Sequence, residues 1–310
     1  MQRWLIVGSG DIARRMASLM RGPEQLFSLC RDRDCAAQWR ALGAIPLLGD
    51  LDRPASLHRL SGLAEVVFHF APPPPNALGD PRTRNLIAAL ERGGSLPQRL
   101  VYISTTGVYG DCQGAAIDET RPIRPDTPRA RRRADAEHRL RAFGARSGCQ
   151  VTILRAPGIY AEDRLPLARL QQGGPIPDSS EDPWTNHIHA LDLAHAALCA
   201  ARRGRPNRVY NVVDDTRLKL GDYYERLAQH FNLPLPRRLP MAAIKRQISE
   251  INWSFMIESR QIANTRIKSE LNLSWYYPAV GDLLCTLPVL DHGISNLNSI
   301  DLRQKAGQLP

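Results

Sequence analysis

The stretch RWLIVGSGDIA, residues 3–13, decides the fold of this chain. Its first five residues predict a short buried strand, and the six that follow lead directly into a helical pattern. Gly8 permits a tight turn, Gly10 lets a pyrophosphate approach the backbone, and Ala13 is small enough for helix and strand to pack closely. The helix N-terminus adds free N–H groups and partial positive charge. The sequence therefore predicts a dinucleotide-binding loop between a strand and a helix.

Strand and helix patterns alternate over the first half of the chain. Strands are predicted at 3–7, 26–30, 44–48, 66–71, 100–104 and 151–154, and helices at 11–20, 36–42, 81–91 and 131–145. Alternation of this kind predicts the α/β class, with a doubly wound parallel sheet (Rossmann) covered by helices on both faces. Ligands of such sheets bind at the carboxyl ends of the strands.

The second half of the chain is less regular. Residues 161–188 and 216–290 are richer in Pro, Trp and Tyr, and they predict a smaller C-terminal substrate lobe. Residues 189–215 carry one more helix and strand pattern, so we assign them with 1–160 to the Rossmann domain. Residues 291–310 are polar without periodicity, and we expect a loosely ordered tail.

Charge and composition narrow the class of partner. The 310 residues carry a net charge of +10, and 37 of the 41 basic residues are arginine, spread over the chain. The densest cluster, 131–133, has no aromatic ladder beside it, so we do not expect nucleic-acid binding. The six cysteines are scattered without a C-x-x-C pair, which indicates reduced thiols and no metal site.

No apolar run approaches the roughly 20 residues that span a membrane, and the start of the chain shows no signal peptide. We therefore expect a cytoplasmic protein with a small-molecule substrate, and we leave a homodimer open.

A set of short segments carries a resemblance to a known family. They are VGSGDIA (7–13), GDL (49–51), FAPPP (70–74), YISTTGVYGD (102–111), LRAPGIY (154–160), NHIHALDLA (186–194) and VYNVVDD (209–215). In this order they resemble the extended short-chain dehydrogenase/reductases, also called the NAD-dependent epimerase/dehydratase family, and in particular its atypical members. The resemblance covers roughly residues 3–280. It implies that Asp50 and Leu51 lie beside the adenine, that Ala71 and Pro72 back the nicotinamide-side ribose, and that Thr105 binds substrate.

The chain departs from that family at its acid–base pair. The family uses Tyr-x-x-x-Lys on a long helix, where the ammonium lowers the pKa of the phenol. Here Arg129 stands at the expected tyrosine and Arg133 at the expected lysine, and no lysine precedes position 219. Arginine cannot exchange protons near neutral pH. Arg129 could bind an anion and Arg133 a ribose hydroxyl; the alternative for Arg129 is a solvated helix face.

Other side chains could supply the proton. We rank Tyr109, Tyr160 and His187 in that order, as partners of Thr105, which can hold a substrate oxygen where charge develops. The alternative for Thr105 is that it only satisfies the backbone of its loop. We expect His189 to be a structural hydrogen-bonding residue.

The end of the second strand favours NADP over NAD. The position that is acidic in NAD enzymes is Cys30, and Arg31 follows it. Arg31 and Arg14 could meet a 2′-phosphate. A shift of one residue would place Asp32 there, so NAD remains the alternative. Cofactor contacts are predicted at Gly8, Gly10, Asp11, Ile12, Arg14, Arg31, Asp50, Leu51, Ala71 and Pro72.

These features predict an NAD(P)-binding oxidoreductase or epimerase-like protein that acts on a small oxygenated or anionic substrate with non-standard catalytic residues: Thr105, Tyr109, Arg129 and Arg133. The alternative is a catalytically silent NAD(P)-binding sensor or scaffold.

Overall fold

The computed structural model describes residues 1–288. The strands are β1 (Arg3–Val7), β2 (Gln25–Cys30), β3 (Ile45–Leu48), β4 (Val66–His69), β5 (Arg99–Thr105), β6 (Ala116–Ile117), β7 (Gln150–Ala156), β8 (Gly158–Tyr160), β9 (Ile176–Pro177), β10 (Trp184–Thr185), β11 (His187–His189), β12 (Arg208–Asn211), β13 (Leu218–Lys219), β14 (Arg238–Leu239) and β15 (Gln261–Ile262). The α-helices are α1 (Asp11–Leu19), α2 (Arg33–Ala41), α3 (Pro81–Leu90), α4 (Pro128–Ser147), α5 (Leu167–Gln171), α6 (Ala190–Arg203), α7 (Leu220–His230), α8 (Met241–Lys245), α9 (Glu250–Met256), α10 (Thr265–Leu271) and α11 (Val280–Thr286), with 3₁₀ turns at Pro54–Leu60 and Thr106–Tyr109.

Within residues 1–288 the central sheet has seven parallel strands in the order β12-β7-β5-β4-β1-β2-β3. The order reverses between β1 and β4, which pair in register from Trp4 with Val66 to Val7 with His69. In such sheets the ligand crevice opens at this switch point, beyond the carboxyl ends of the strands. The predicted doubly wound parallel sheet is confirmed.

Apolar side chains fill both faces of the sheet. On one face Met16 of α1, Trp39 of α2 and Leu193 of α6 pack against the strands. On the other face Leu86 of α3 and Phe143 of α4 do so. The sheet is therefore fixed between two helix layers, and its edge loops are held by rigid elements.

Two helices begin earlier than the sequence pattern predicts. Asp32 accepts a hydrogen bond from the backbone N–H of Cys35, so α2 begins at Arg33. Thr127 accepts one from the N–H of Ala130, and α4 begins with Pro128 at its first position. Side-chain caps and an N-terminal proline set these starts, and apolar periodicity does not mark them.

Part of the C-terminal half packs apart from the sheet. Helices α5, α7 and α11 share an apolar cluster that includes Leu170, Leu227 and Leu283. Helix α10, by contrast, buries Ile267 and Leu271 in the same cluster as α6. The division into two lobes remains a prediction, and the predicted tail at 291–310 lies outside the described residues. No helix within residues 1–288 is both long and apolar enough to cross a bilayer.

Candidate active site

Three adjoining cavities run along the carboxyl edge of the sheet in the described part of the chain. The glycine-loop cleft, about 610 Å³, is lined by residues that include Gly8, Gly10 and Arg31. A connecting pocket of about 350 Å³ shares Arg133 and other residues with it. The arginine-lined cavity, about 440 Å³, shares Thr105, Arg129 and Pro157 with the connecting pocket. Thr105 and Arg129 therefore lie where two of the cavities meet.

The glycine loop has the two properties that the sequence predicts. Gly8 has φ +103°, and a Cβ there would lie 2.2 Å from the backbone nitrogen of Ala71. Only glycine fits this position, because the end of β1 presses against the backbone that follows β4. A Cβ on Gly10, by contrast, would meet no atom within 4 Å. Gly10 is also the N-cap of α1, without a side-chain cap, so the N-terminal N–H groups of α1 are free for an anion.

Nine of the ten predicted cofactor contacts line the glycine-loop cleft. They are Gly8, Gly10, Asp11, Ile12, Arg31, Asp50, Leu51, Ala71 and Pro72. The exception is Arg14, which is exposed and does not line the cleft. Ala13, one residue earlier, is buried against the sheet. Because successive helix residues point about 100° apart, the side chain of Arg14 leaves the cleft.

Two charged side chains follow β2 at the cleft, an arginine and a carboxylate that is already hydrogen-bonded. Cys30 is fully buried, and burial raises the pKa of its thiol to about 12, so it offers no charged acceptor to a ribose. Arg31 is exposed and lines the cleft. Asp32 also lines it, but its Oδ1 accepts the N–H of Cys35 at 2.8 Å as the cap of α2.

Sequence reasoning missed two further arginines that line the cleft. Arg82 is paired with Asp52 at 2.6 Å and donates to the carbonyl oxygen of Pro72. Arg164 is paired with Asp11 at 3.1 Å. They reach the cleft from α3 and from the loop after β8, and no local pattern in the sequence marks that approach.

Thr105 ends β5 at the junction of the connecting pocket and the arginine-lined cavity. Its Oγ1 accepts the backbone N–H of Gly107 at 3.2 Å, as the cap of the 3₁₀ turn. This bond satisfies the loop backbone, as the alternative interpretation proposes. The side chain nevertheless lines both cavities and is not fully buried, so the hydroxyl proton remains able to bond a ligand.

Helix α4 brings Arg129 and Arg133 to the same junction. Nη1 of Arg133 donates to the hydroxyl of Tyr102 at 3.0 Å and to the carbonyl oxygen of Ile103 at 2.8 Å. The guanidinium of Arg129 lies 4.0 Å from the centre of the Phe255 ring. It has no hydrogen-bonding or ionic partner among the described residues, and Arg129 lines both adjoining cavities.

Tyr109 and Tyr160 lie away from these cavities. The Tyr109 hydroxyl donates to Oδ1 of Asn211 at 2.8 Å, and its ring is buried beneath the guanidinium of Arg155. Tyr160 is buried beside Asp214, and burial raises the pKa of both groups, that of Asp214 to about 7. Because neither residue lines these three cavities, the geometry gives no support to either tyrosine as a proton donor.

The two histidines of the 186–194 segment have different surroundings. His187 lines the arginine-lined cavity, stacks on Tyr223 at 4.1 Å, and has a pKa lowered to about 4 by burial. His189 is the N-cap of α6, where its Nδ1 accepts the N–H of Leu191 at 3.2 Å. The expectation that His189 is structural agrees with this geometry, whereas His187 can contact a ligand.

The remaining wall of the arginine-lined cavity comes from the C-terminal half. Glu258 and Arg260 form an ion pair of 2.6 Å there. They are held by β15, which pairs with β6 from Gln261 with Ala116 to Ile262 with Ile117. Sequence reasoning missed this pair, because the segments that meet are more than 140 residues apart.

Comparison with known proteins finds relatives that include a dehydratase and a ketoreductase. The dTDP-D-glucose 4,6-dehydratase of Homo sapiens is 26% identical over 123 residues, which are 37% of this chain and 35% of that protein. The chain thus spans about a third of the length of that relative. The 4-hydroxy-2-methyl-3-oxo-4-farnesyl-3,4-dihydroquinoline-1-oxide ketoreductase of Stigmatella aurantiaca is 27% identical over 252 residues, 74% of this chain and 73% of that protein.

A solved structure of a functionally unknown conserved protein from Silicibacter pomeroyi superimposes with a TM-score of 0.75 and 28% identity, covering 92% of this chain and 98% of that one. The sequence profile of the NAD dependent epimerase/dehydratase family matches residues 8–212, from the glycine loop to the last strand of the sheet. With the switch-point crevice in place at that loop, the match shows that this chain belongs to the NAD dependent epimerase/dehydratase family.

Proposed function

We propose that this protein is an NAD(P)-dependent oxidoreductase or epimerase-like enzyme that acts on a small oxygenated or anionic molecule. The observation that carries the proposal is the adjacency of the three cavities. The connecting pocket shares lining residues with both the glycine-loop cleft and the arginine-lined cavity, and Thr105 and Arg129 lie at the second of these junctions. A cofactor in the first cavity and a substrate in the last would therefore meet beside these two residues.

The glycine-loop cleft fits a nicotinamide dinucleotide, which supplies the hydride chemistry of this family when bound. Gly10 leaves open space at the uncapped N-terminus of α1, where a pyrophosphate would be held. Asp50 and Leu51 would hold the adenine side, and Ala71 and Pro72 the nicotinamide side. The ketoreductase relative from Stigmatella supports a redox reaction.

We further propose NADP as the preferred cofactor. Arg31 is exposed at the cleft and Cys30 offers no carboxylate. NAD remains the alternative through Asp32, one oxygen of which already caps α2. Recognition of a 2′-phosphate by a guanidinium is a charge-assisted hydrogen bond, which is among the strong polar contacts.

At the reacting end, Thr105 would hold a substrate oxygen through its hydroxyl. His187 is neutral at pH 7, because burial lowers its pKa to about 4, so its imidazole would be a weak base that contacts the substrate as a hydrogen-bonding group. Arg129 would bind an anionic group of the substrate and would not exchange protons.

A direct test compares cofactor binding with turnover. NADPH and NADH are titrated by fluorescence, and stopped-flow oxidation of NADPH is followed with aldehydes, ketones and sugar nucleotides. We expect micromolar NADPH binding, and slow turnover that Thr105→Ala reduces further. The proposal would be refuted if the protein bound neither NADPH nor NADH.

The same experiment distinguishes the proposed enzyme from a second candidate function. The lack of a tyrosine and a lysine on α4 favours a cofactor-dependent sensor or scaffold. NADPH binding without turnover on any substrate would support that function.

A further inference from the structure

The arginine-lined cavity has three polar side chains that are more than nine-tenths buried and that each have one atom without a partner. Glu258, Arg260 and His187 are 8%, 7% and 7% exposed. Oε1 of Glu258, Nε of Arg260 and Nδ1 of His187 make no hydrogen bond to the described residues. Buried polar atoms are nearly always hydrogen-bonded, to protein, water or ligand. The wall of the cavity therefore carries at least one acceptor atom and one donor atom whose hydrogen-bonding capacity the described fold leaves unused.

The remaining polar atoms of the Glu258–Arg260 ion pair are held in place by hydrogen bonds. Nη2 of Arg260 donates to Oε2 of Glu258 at 2.6 Å, and Nη1 donates to the carbonyl oxygen of Gly110. The guanidinium is thus held at two points and the carboxylate at one. A rigid donor and a rigid acceptor give directional selectivity to whatever binds beside them.

The charge of the cavity is positive. Three guanidinium groups line it, those of Arg129, Arg169 and Arg260, against the single carboxylate of Glu258 among the described lining residues. Burial and the nearby guanidinium groups lower the pKa of Arg129, while Glu258 opposes this effect. The buried guanidinium of Arg129 has lost part of its solvation by water. An anion that pairs with it would compensate for this loss and would be stabilised there.

The rest of the wall is apolar and aromatic. Trp184, Tyr224, Phe255 and Met256 line it, and Phe255 lies against the Arg129 guanidinium. The ring orients the guanidinium without using any of its N–H donors. The N–H groups of Arg129 therefore remain available.

We propose that Arg129, Glu258 and Arg260 form a recognition subsite for a small hydroxylated anion, in which Arg129 binds a carboxylate or phosphate and Glu258 accepts a hydrogen bond from a hydroxyl of the same molecule. The inference rests on the proposed function and specifies its substrate class. Carboxylates and phosphate monoesters present the same anionic oxygens to a guanidinium, so the experiment must separate these two sources.

The test uses four probes in isothermal titration of the full chain, with and without saturating NADPH. Gluconate carries an anion and hydroxyls, hexanoate only the anion, and glucitol only hydroxyls; glucose 6-phosphate replaces the carboxylate by a phosphate. We expect the hydroxylated anions to bind about tenfold or more tighter than hexanoate or glucitol, since a hydrogen bond to a charged group is worth that much. Gluconate binding tighter than glucose 6-phosphate assigns a carboxylate, and the reverse order assigns a phosphate.

Two variants assign the contacts. Arg129→Gln should weaken gluconate, glucose 6-phosphate and hexanoate by roughly ten- to a hundredfold and leave glucitol unchanged. Glu258→Gln should weaken the hydroxylated anions but not hexanoate. Arg131→Gln and Glu250→Gln make the same charge changes at exposed positions outside the cavity and should change nothing.

The inference is overturned if the hydroxylated anions bind no tighter than glucitol, or if the two cavity variants behave like their controls. A melting curve of Glu258→Gln shows whether that variant folds; if it does not, Arg129→Gln alone decides, because its side chain makes no hydrogen bond within the described fold. NADPH binding with no discrimination among the probes rejects this subsite and leaves the proposed function standing. Discrimination among the probes without NADPH binding supports this subsite and rejects the proposed function.

Discussion

Nη1 of Arg133 on α4 donates a hydrogen bond to the carbonyl oxygen of Ile103 on β5, over 2.8 Å. This contact fixes the first turns of α4 against the strand that ends in Thr105. It also places Arg129, one helical turn earlier, over the cavity junction. By the family resemblance, these two arginines stand at the sequence positions expected for the tyrosine and the lysine.

Replacing the two arginines should change the chemistry. We expect the wild type to oxidise NADPH very slowly with aldehydes, ketones and sugar nucleotides, because neither guanidinium can donate a proton near neutral pH. Arg129→Tyr/Arg133→Lys should raise the rate on neutral substrates, since the ammonium lowers the pKa of a phenol one turn away. Stopped-flow measurement of both proteins tests this. Fast wild-type turnover that survives Thr105→Ala would show that the catalytic centre lies elsewhere.

The two glycines of the loop should respond differently to a side chain. Gly10→Val should abolish NADPH binding and leave the melting temperature nearly unchanged, because its Cβ meets no protein atom but enters the space assigned to the pyrophosphate. Gly8→Ala should instead destabilise the fold by about 1–3 kcal/mol or more, since φ is +103° and the new atom overlaps the Ala71 backbone. Calorimetry of both variants separates binding from folding. Unchanged NADPH affinity in Gly10→Val would remove the site from this loop.

Cofactor preference should depend on Arg31 and not on Arg14. We expect NADPH to bind tighter than NADH, and Arg31→Ala to remove most of the difference, roughly ten- to a hundredfold for one charge-assisted contact. Arg14→Ala is the matched control, because that side chain is exposed outside the cleft. Fluorescence titration of the wild type and both variants with both dinucleotides measures these affinities. Equal affinities in the wild type would favour the NAD alternative through Asp32.

Acid should destabilise the fold partly through His187. Its folded pKa is about 4, below the ordinary 6.5, so the unfolded chain binds more protons between these values. The stability contributed by neutral His187 is complete above pH 6.5 and is lost as the pH falls to about 4. The slope is up to about 1.4 kcal/mol for each pH unit.

His187→Gln should therefore flatten the fall in unfolding free energy over this range, measured by urea titration. Asp214, with a pKa raised to about 7, acts with the opposite sign, and its effect is removed by taking the difference between the proteins. His58→Gln, at an exposed position, is the control. An unchanged slope in His187→Gln would contradict the assignment of a buried neutral imidazole.

The sequence was sufficient for the sheet and for the glycine-loop cleft. Both depend on local signals: apolar runs that predict strands, and a glycine pattern in which the end of β1, Gly8 and the start of α1 are neighbours in the chain. Arg14 is the one predicted cofactor contact that does not line the cleft, and the reason is local as well. Its place in the sequence is next to the loop, but the helical rotation after Ala13 turns it away.

The arginine-lined cavity could not be predicted in the same way. Glu258 and Arg260 reach it only because β15 pairs with β6, a contact between distant segments that leaves no periodic signal. Tyr109 shows the converse. It follows Thr105 closely in the chain, yet the 3₁₀ turn between them directs its ring inward, to Asn211.

The pairing of β6 with β15 also bears on the order in which the two ends of the site are made during synthesis. Every residue that lines the glycine-loop cleft precedes position 165, whereas the arginine-lined cavity needs residues 252–260. The last residue that lines the cleft is therefore synthesised about 90 residues before those of the cavity wall, and α6 and β12, which complete the sheet, follow between the two. In chimeras between relatives, residues 106–118 and 258–263 should consequently be exchanged together, because β6 and β15 pair with each other.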